Sequence, residues 1–594
     1  LQYHRGVQHT AAITDATSQH FAADFRKAGD FEMSKKKVLI IGGVACGAKA
    51  AARLARLAPE FDITVLERGE HLSVAGCGFP YFVGDVVKEY KDLVCTPLGI
   101  VRDANFFRNV KDVTVHTSCL ATRIDRERKV VKATNTATGE ECLFPYDELV
   151  LATGASPIRP PIPGVDLNRV FTLWTMPDAM AMKSAIDAGS VKSAVIIGGG
   201  LIGMEVVEAL ADRGISVSVA DIQPTPLPAL IDTDFGLRVA KVLGRKGVGF
   251  YGGERVVEIV GEGGVVKAVK TDKRELPADM VLMAVGIRPN TALAREAGLE
   301  LHANGTIVVD ECLRTSDPFI YAGGDCVQSK NILTEKSVWQ PMGSTANRQG
   351  RVIADNIAGL PSRFAGVVGT AILKLFHLTI GKTGLNEEQA RAAGFDPVSV
   401  VVEEPDRPHF MPGMGEMTIR LVADRRSRRV LGAQFMGNGV IDKRLDSIVA
   451  AISSGMTVDM LADADFAYAP PFATALDPTT HAANTLRNKM DGLVRTYSAA
   501  ELKARMEGDE PPVLLDVRSP QELDQQGRLP YDFINIPLGQ LRGRLSEVPE
   551  DREVVAFCKI SARAWDAVAI FKGNGREDIA ILEGGAMAWP YEMK

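Results

Sequence analysis

One arrangement constrains this chain more than any other: a short apolar strand running directly into a glycine turn and a helix, and it occurs twice. Lys37-Val-Leu-Ile-Ile41 ends in Gly42-Gly-Val44-Ala45-Cys46-Gly47 and continues into a helical stretch, after which Ile63-Thr-Val-Leu66 puts Glu67 at its carboxyl end. The second copy runs Ala194-Val-Ile-Ile197, Gly198-Gly-Gly200-Leu-Ile-Gly203, then Val217-Ser-Val-Ala220 and Asp221. Strand, glycine turn, helix and strand-end acid are the order a dinucleotide site needs. The first glycine allows the tight turn, the middle position admits a pyrophosphate, the helix amino terminus presents N–H groups to it, and the acid accepts ribose hydroxyls. In the first copy Val44 replaces the middle glycine, so that copy alone is the weaker match. Asp221 would repel a 2′-phosphate and no arginine follows it immediately, which favours NADH over NADPH.

With 594 residues the chain holds several domains, and 46% hydrophobic with 24% charged residues supplies ordinary globular cores. A net charge of -6 without a long basic stretch gives no field for nucleic acid. Arg425-Arg-Ser-Arg-Arg429 reads as a solvated hairpin tip. Eight cysteines without a CxxC pair argue against a disulfide scaffold or a metal site and fit a reducing, cytoplasmic setting. No run is apolar enough to span a bilayer, and residues 1–32 read as a non-native leader or disordered extension.

Two further motifs, Leu149-Val-Leu-Ala-Thr153-Gly154 and Thr315-Ser-Asp-Pro-Phe-Ile-Tyr-Ala-Gly-Gly-Asp325, complete a pattern that resembles the pyridine-nucleotide disulfide oxidoreductase flavoproteins. That resemblance implies FAD on the first unit, through Gly42, Val44, Ala45, Gly47, Glu67, Arg68, Thr153, Gly154 and Asp325. It implies NADH on the second, through Gly198, Gly200, Gly203, Glu205, Asp221 and Gly286. Asp325 takes the flavin ribityl role by that match, and a homodimer is implied.

The loop after Glu67 reads Leu72-Ser-Val-Ala-Gly-Cys77-Gly-Phe-Pro-Tyr81, with one cysteine between glycines. A lone cysteine cannot close an internal disulfide, so it must cycle through a mixed disulfide, a persulfide or a sulfenic acid. Pro80 suits the first turn of a helix whose dipole, with a flavin beside it, is expected to lower the thiol pKa. The segment is similar to that of coenzyme A disulfide reductases, a group that also holds NADH oxidases, NADH peroxidases and CoA-persulfide or polysulfide reductases. By the same resemblance Tyr468, in Phe466-Ala-Tyr-Ala-Pro-Pro-Phe472, reaches across a dimer to the active-site sulfur. Leu378 stands where some members carry a second tyrosine, a departure from the strict CoA-disulfide pattern. Arg53 and Arg56 on the first helix are candidates for coenzyme A phosphates, with solvated surface arginines as the other reading. The remaining cysteines, Cys558 aside, read as packed structural residues.

After residue 496 four motifs follow in order: Val513-Leu-Leu-Asp-Val-Arg518 through Glu522, Ile534-Asn-Ile-Pro537, Val554-Val-Ala-Phe-Cys558-Lys-Ile-Ser-Ala-Arg563, and Leu582-Glu-Gly-Gly through Trp589. They resemble rhodanese sulfurtransferase domains. A strand running into Cys558 and a helix beginning near Ser561 would aim successive N–H groups at the sulfur, and a six-residue loop to Arg563 is a small cradle that fits sulfur. Lys559 at its mouth would favour an anionic donor.

The fold expected is therefore α/β: two Rossmann-like units, an α+β dimerisation domain and an α/β rhodanese domain. The expected division is an FAD domain over 33–147 and 280–360, an NADH domain over 148–279, a dimerisation domain over 361–480, a linker helix over 481–496 and a rhodanese domain over 497–594. The activity expected is NADH-dependent reduction of CoA persulfide, polysulfide or CoA disulfide, with Cys77, Tyr468, Cys558 and Arg563 as catalytic residues and small sulfur compounds and coenzyme A as partners. The alternatives are an NADH oxidase or peroxidase using a Cys77 sulfenic acid, and a redox-sensing flavoprotein.

Overall fold

A computed structural model describes residues 35–594, so the leader reading of 1–32 lies outside the described residues. Three parallel sheets and one antiparallel sheet, each of five strands, organise the chain. In the first sheet, Lys37–Ile41 lies between Asp62–Leu66 and Glu148–Leu151, flanked outward by Val113–His116 and Ile320–Ala322. Val38, Leu39 and Ile40 are at most 1% exposed. Covering both faces explains why this strand reads as unbroken aliphatic sequence rather than alternation, and each such side chain contributes about 1.5–3 kcal/mol by burial. Helix Cys46–Leu57 packs through Ala50, Ala51 and Leu54 against helix Gly343–Ile357.

The second sheet repeats the plan around Ser193–Ile197, paired with Ser216–Asp221 and Met280–Met283. The expected boundaries are corrected by two pairings. Glu148–Leu151, expected to open the NADH unit, completes the first sheet, and Met280–Met283, expected in the FAD unit, completes the second. Both are apolar strands whose partners are fixed by the register of the whole sheet. The crossing is instead a two-stranded ribbon, Ala155–Pro157 with Ile287–Pro289. Asn290 clasps it, donating through Nδ2 to Thr153 O at 3.0 Å, while its own carbonyl accepts from Thr153 Oγ1 at 2.6 Å.

Residues 371–437 form the antiparallel sheet, with Pro397–Pro405 at one edge and Ala371–Leu375 at the other. The linker helix expected over 481–496 is instead the greater part of helix Pro478–Met490, which belongs to this domain's core. Asp477 caps it, and Ala482, Ala483 and Leu486 are fully buried against the sheet. At the hairpin tip Arg425 and Arg426 are exposed, whereas Arg428 meets Asp459 at 2.6 Å and Asp491 at 2.8 Å. The last sheet has the strand order Thr496–Tyr497, Ile579–Leu582, Val554–Phe557, Val513–Asp516, Ile534–Asn535. No helix among the described residues is long and apolar enough to cross a membrane.

Candidate active site

The two glycine turns are built alike. Gly42 and Gly198 have φ of +107° and +106°, and a Cβ on either would run into the carbonyl of Ala152 or Ala284 on the neighbouring strand. At Gly47 and Gly203 the helix presses on the turn, so that a Cβ would strike the carbonyls of Gly42 and Gly198. Gly200, by contrast, faces open space. Val44, 41% exposed, turns outward and leaves the first turn's backbone approachable. Ala45 begins the helix without a side-chain cap, leaving its first N–H groups for a ligand.

Both strand-end acids brace their turns. Buried Glu67 accepts from Gly43 N and Gly69 N, each at 2.7 Å, and Asp221 accepts from Gly199 N at 2.5 Å and Gln223 N at 2.7 Å. A carboxylate has about four acceptor positions, so each acid keeps capacity for ribose hydroxyls. A cavity of about 420 Å³ opens beside Gly200, Asp221 and Gly286, closed on one side by Leu227–Leu230 and by Ala371 of the antiparallel sheet. Its size and its glycine-lined floor fit a nucleotide. Arg68 is exposed beside Glu67.

Asp325 stands in the turn after Ile320–Ala322, and burial alone pushes its carboxyl up to about 6. A half-buried acid with no cation to hold it ionised is suited to bonding a ligand hydroxyl. Gly324 N donates to the fully buried Gln349 Oε1 at 2.7 Å, and Gln349 Nε2 donates to Ser329 Oγ at 3.1 Å, which fixes the turn. Sequence reasoning did not single out Gln349, nor Asn290 of the ribbon. Neither lies in a motif, and their roles come from packing across elements distant in sequence. The turns, the open face at Gly200 and the unpaired Asp325 together fit FAD on the first unit and a nicotinamide dinucleotide on the second.

Cys77 lies in the short turn Gly76–Gly78, exposed, just before helix Phe79–Val83 with its proline in the first turn. Its thiol is pushed up, not down: desolvation comes first, then the Glu205 carboxylate, with a backbone hydrogen bond opposing and Asp325 adding a smaller upward push. Among the chain's own groups, burial and Glu205 outweigh what the short helix Phe79–Val83 contributes. Glu205, on helix Leu201–Asp212, is itself raised to about 7 by burial. Its charge also raises the Tyr81 hydroxyl, after desolvation. Helices Phe79–Val83 and Leu201–Asp212 pack together, so a titrating carboxyl of the second nucleotide unit lies in the electrostatic reach of Cys77 in the first.

Other candidates lie apart. Tyr468 is 53% exposed in a segment of the dimerisation domain that also exposes Phe472 and Leu476. Leu378 is buried in strand Leu378–Gly384. Arg53 pairs through Nε with Asp355 at 2.8 Å while its side chain stays partly exposed, and Arg56 is exposed. Cys46, Cys119 and Cys326 are buried and Cys95, Cys142 and Cys312 half-buried, as packed structural cysteines are.

In the carboxyl-terminal unit, Cys558 ends strand Val554–Phe557, fully buried, and helix Ala562–Gly573 begins after Ser561, whose φ of +76° makes the turn. Arg563 pairs with Glu522 at 2.5 and 2.8 Å and also approaches the Cys558 sulfur. That pairing, above all, holds Glu522 at about 2. Glu522 was quoted in a motif but given no role; its distance of 41 residues from Arg563 hides the pairing. Lys559 is likewise paired, 3.3 Å from Glu416 of the antiparallel sheet. Among the described residues no group of acidic, cysteine or histidine side chains could hold a metal.

Residues 36–346 match the family model for the pyridine nucleotide-disulphide oxidoreductases, 370–479 that for their dimerisation domain, and 498–591 that for the rhodanese-like domain. The CoA-dependent NAD(P)H sulfur oxidoreductase of Pyrococcus furiosus is 37% identical over 455 residues, covering 77% of this chain and 100% of the relative. An NAD-dependent persulfide reductase from A. fulgidus superposes with a TM-score of 0.88 at 42% identity, covering 93% of this chain and all of that one. The reduced Bacillus anthracis CoADR-RHD superposes at 0.87 with 35% identity, covering 93% and 98%.

Proposed function

The chain belongs to the pyridine nucleotide-disulphide oxidoreductases, and from that premise we propose that it reduces CoA persulfide, polysulfide or CoA disulfide with NADH while its fused rhodanese domain carries sulfane sulfur. One observation carries this reading. A single chain holds Cys77 in a glycine-flanked turn of the reductase portion and Cys558 cradled at a helix start in the sulfurtransferase portion. Sulfane sulfur is the cargo both chemistries share, since a CoA disulfide has no such atom for Cys558 to take up.

FAD and NAD(P)H, the cofactors of the family, supply when bound the electron pair that disulfide cleavage consumes. The protein's part is done by its side chains. The Cys77 thiolate attacks the sulfur that bears coenzyme A in a persulfide, forming a Cys77–CoA mixed disulfide and expelling hydrosulfide. Two electrons then break that disulfide into two thiolates. Glu205, with a pKa of about 7, can exchange the accompanying proton near this thiol at working pH. Asp221 in place of a basic side chain supports NADH, and exposed Tyr468 supports a homodimer in which it meets the partner's active site. Arg53 and Arg56, on the first helix, are the proposed contacts for coenzyme A phosphates. Eight cysteines, none in a disulfide, support a reducing, cytoplasmic setting.

Cys77→Ser and Cys558→Ser test the assignment. The first should still be reduced by NADH at the flavin yet release no sulfide from CoA persulfide. The second should lose transfer of sulfur from thiosulfate to cyanide. Full sulfide release by Cys77→Ser would refute its role.

A further inference from the structure

The carboxyl-terminal unit docks on the antiparallel sheet through the turn that follows its strand Ile579–Leu582. Buried Glu583 accepts from Val401 N at 3.1 Å with one oxygen and from Lys489 Nζ at 2.6 Å and Thr496 Oγ1 at 2.5 Å with the other. The same turn grips the Cys558 loop from behind, as Ala586 N donates to Cys558 O at 2.9 Å and Met587 N to Lys559 O at 3.1 Å. Between these anchors Gly584, with φ of +66°, lies so near strand Pro397–Pro405 that an added Cβ would be 3.3 Å from Val401 Cγ1. The reactive loop is therefore held against the sheet rather than left in solvent.

That docking brings a foreign carboxylate to the loop. Pro405 pairs in register with Glu416, which puts Glu416 at the start of the adjoining strand, and its Oε1 lies 3.3 Å from the ammonium of Lys559, the residue directly after Cys558. The loop's other cation, Arg563, is paired within its own domain by Glu522. Of the two, only Lys559 is neutralised from another domain. Both partners of that pair are partly open, with side chains 38% and 46% exposed, so an incoming anion can displace the carboxylate at modest cost.

We propose that Glu416, a residue of the dimerisation domain, determines donor specificity at the sulfurtransferase site: by pairing with Lys559 it weakens the site's hold on small anionic sulfur donors. This rests on Cys558 as the sulfur carrier. In the intact chain a donor dianion meets a cation already half-satisfied, whereas a donor bound through other contacts is less affected.

The test uses the full-length flavin-loaded protein and thiocyanate formation from thiosulfate and cyanide, with KM for thiosulfate measured at low and high salt. Glu416→Gln should lower that KM about two- to fivefold at low salt, Lys559→Gln should raise it, and the Glu416→Gln effect should vanish in the Lys559→Gln background. Raising salt should close the gap between Glu416→Gln and the parent, as a Coulombic effect requires and a packing effect does not. An unchanged KM in Glu416→Gln, with Cys558→Ser inactive, would overturn the proposal and leave the carrier role intact. Activity retained by Cys558→Ser would instead overturn the carrier assignment itself.

Discussion

Replacing Gly585 by alanine should silence the sulfurtransferase half of this protein and leave its reductase half alone. Gly585 has φ of +62°, and an added Cβ would stand 2.5 Å from Cys558 O and 2.6 Å from Lys559 O, where real Cβ contacts are not found below 3.0 Å. Holding alanine at that φ costs about 1 kcal/mol. Relieving the overlap moves both carbonyls by about half an ångström and loosens the hydrogen bonds they accept from Met587 N and Ala586 N, each worth about 1 kcal/mol. The total, about 3 kcal/mol, lowers the equilibrium constant for the intact cradle roughly 100-fold. Gly575→Ala is the control: it has φ of +75° with nothing within 4 Å, so it carries the backbone strain without the collision. Thiocyanate formation should fall, by up to about two orders of magnitude, in Gly585→Ala and remain near the parent level in Gly575→Ala, while both variants are reduced by NADH normally. Full sulfurtransferase activity in Gly585→Ala would refute the argument that this turn sets the Cys558 loop.

Three other outcomes follow from the same geometry. Gly203→Ala drives a Cβ into the Gly198 carbonyl and should raise the KM for NADH tenfold or more, whereas any effect of Gly200→Ala, which meets no protein atom within 4 Å, would report crowding of the dinucleotide; flavin reduction kinetics distinguish them. Asp221→Ala combined with Ile222→Arg, at a position 66% exposed, should move preference from NADH toward NADPH, measured as the ratio of kcat/KM values. Glu522 is held at about 2 against an ordinary 4.5, so its pairing stabilises the rhodanese domain above pH 4.5 and that stability is lost as pH falls toward 2. Melting of Glu522→Gln should accordingly be flatter over that interval, and a slope equal to the parent's would contradict the pairing.

The sequence was most informative where function requires local spacing. The two strand–turn–helix units, with Gly42, Gly47, Gly198 and Gly203, could be read directly, because a turn of this kind is specified within a dozen residues. So could the Cys558 loop, from strand end to Arg563. What escaped depends on distant partners. Glu148–Leu151 and Met280–Met283 look alike as apolar strands, and only sheet pairing says which sheet each joins. Helix 478–490 reads as a connector until its alanines are seen against the sheet. A helix start beside Cys77 is visible in sequence, whereas the burial of its thiol and the approach of Glu205, more than a hundred residues away, are not. The pairs Arg53–Asp355 and Lys559–Glu416 were hidden for the same reason.

The central claim, that electrons from NADH are spent on sulfur at Cys77, is tested most directly by anaerobic NADH oxidation followed optically with CoA persulfide, polysulfide and CoA disulfide in parallel, beside an aerobic control lacking a sulfur acceptor. Rapid sulfur-dependent turnover with sulfide release from the persulfide, absent in Cys77→Ser, is the predicted result. Turnover only with oxygen or peroxide would contradict it, moving Cys77 to sulfenic acid chemistry and leaving the rhodanese domain without a part in the reaction.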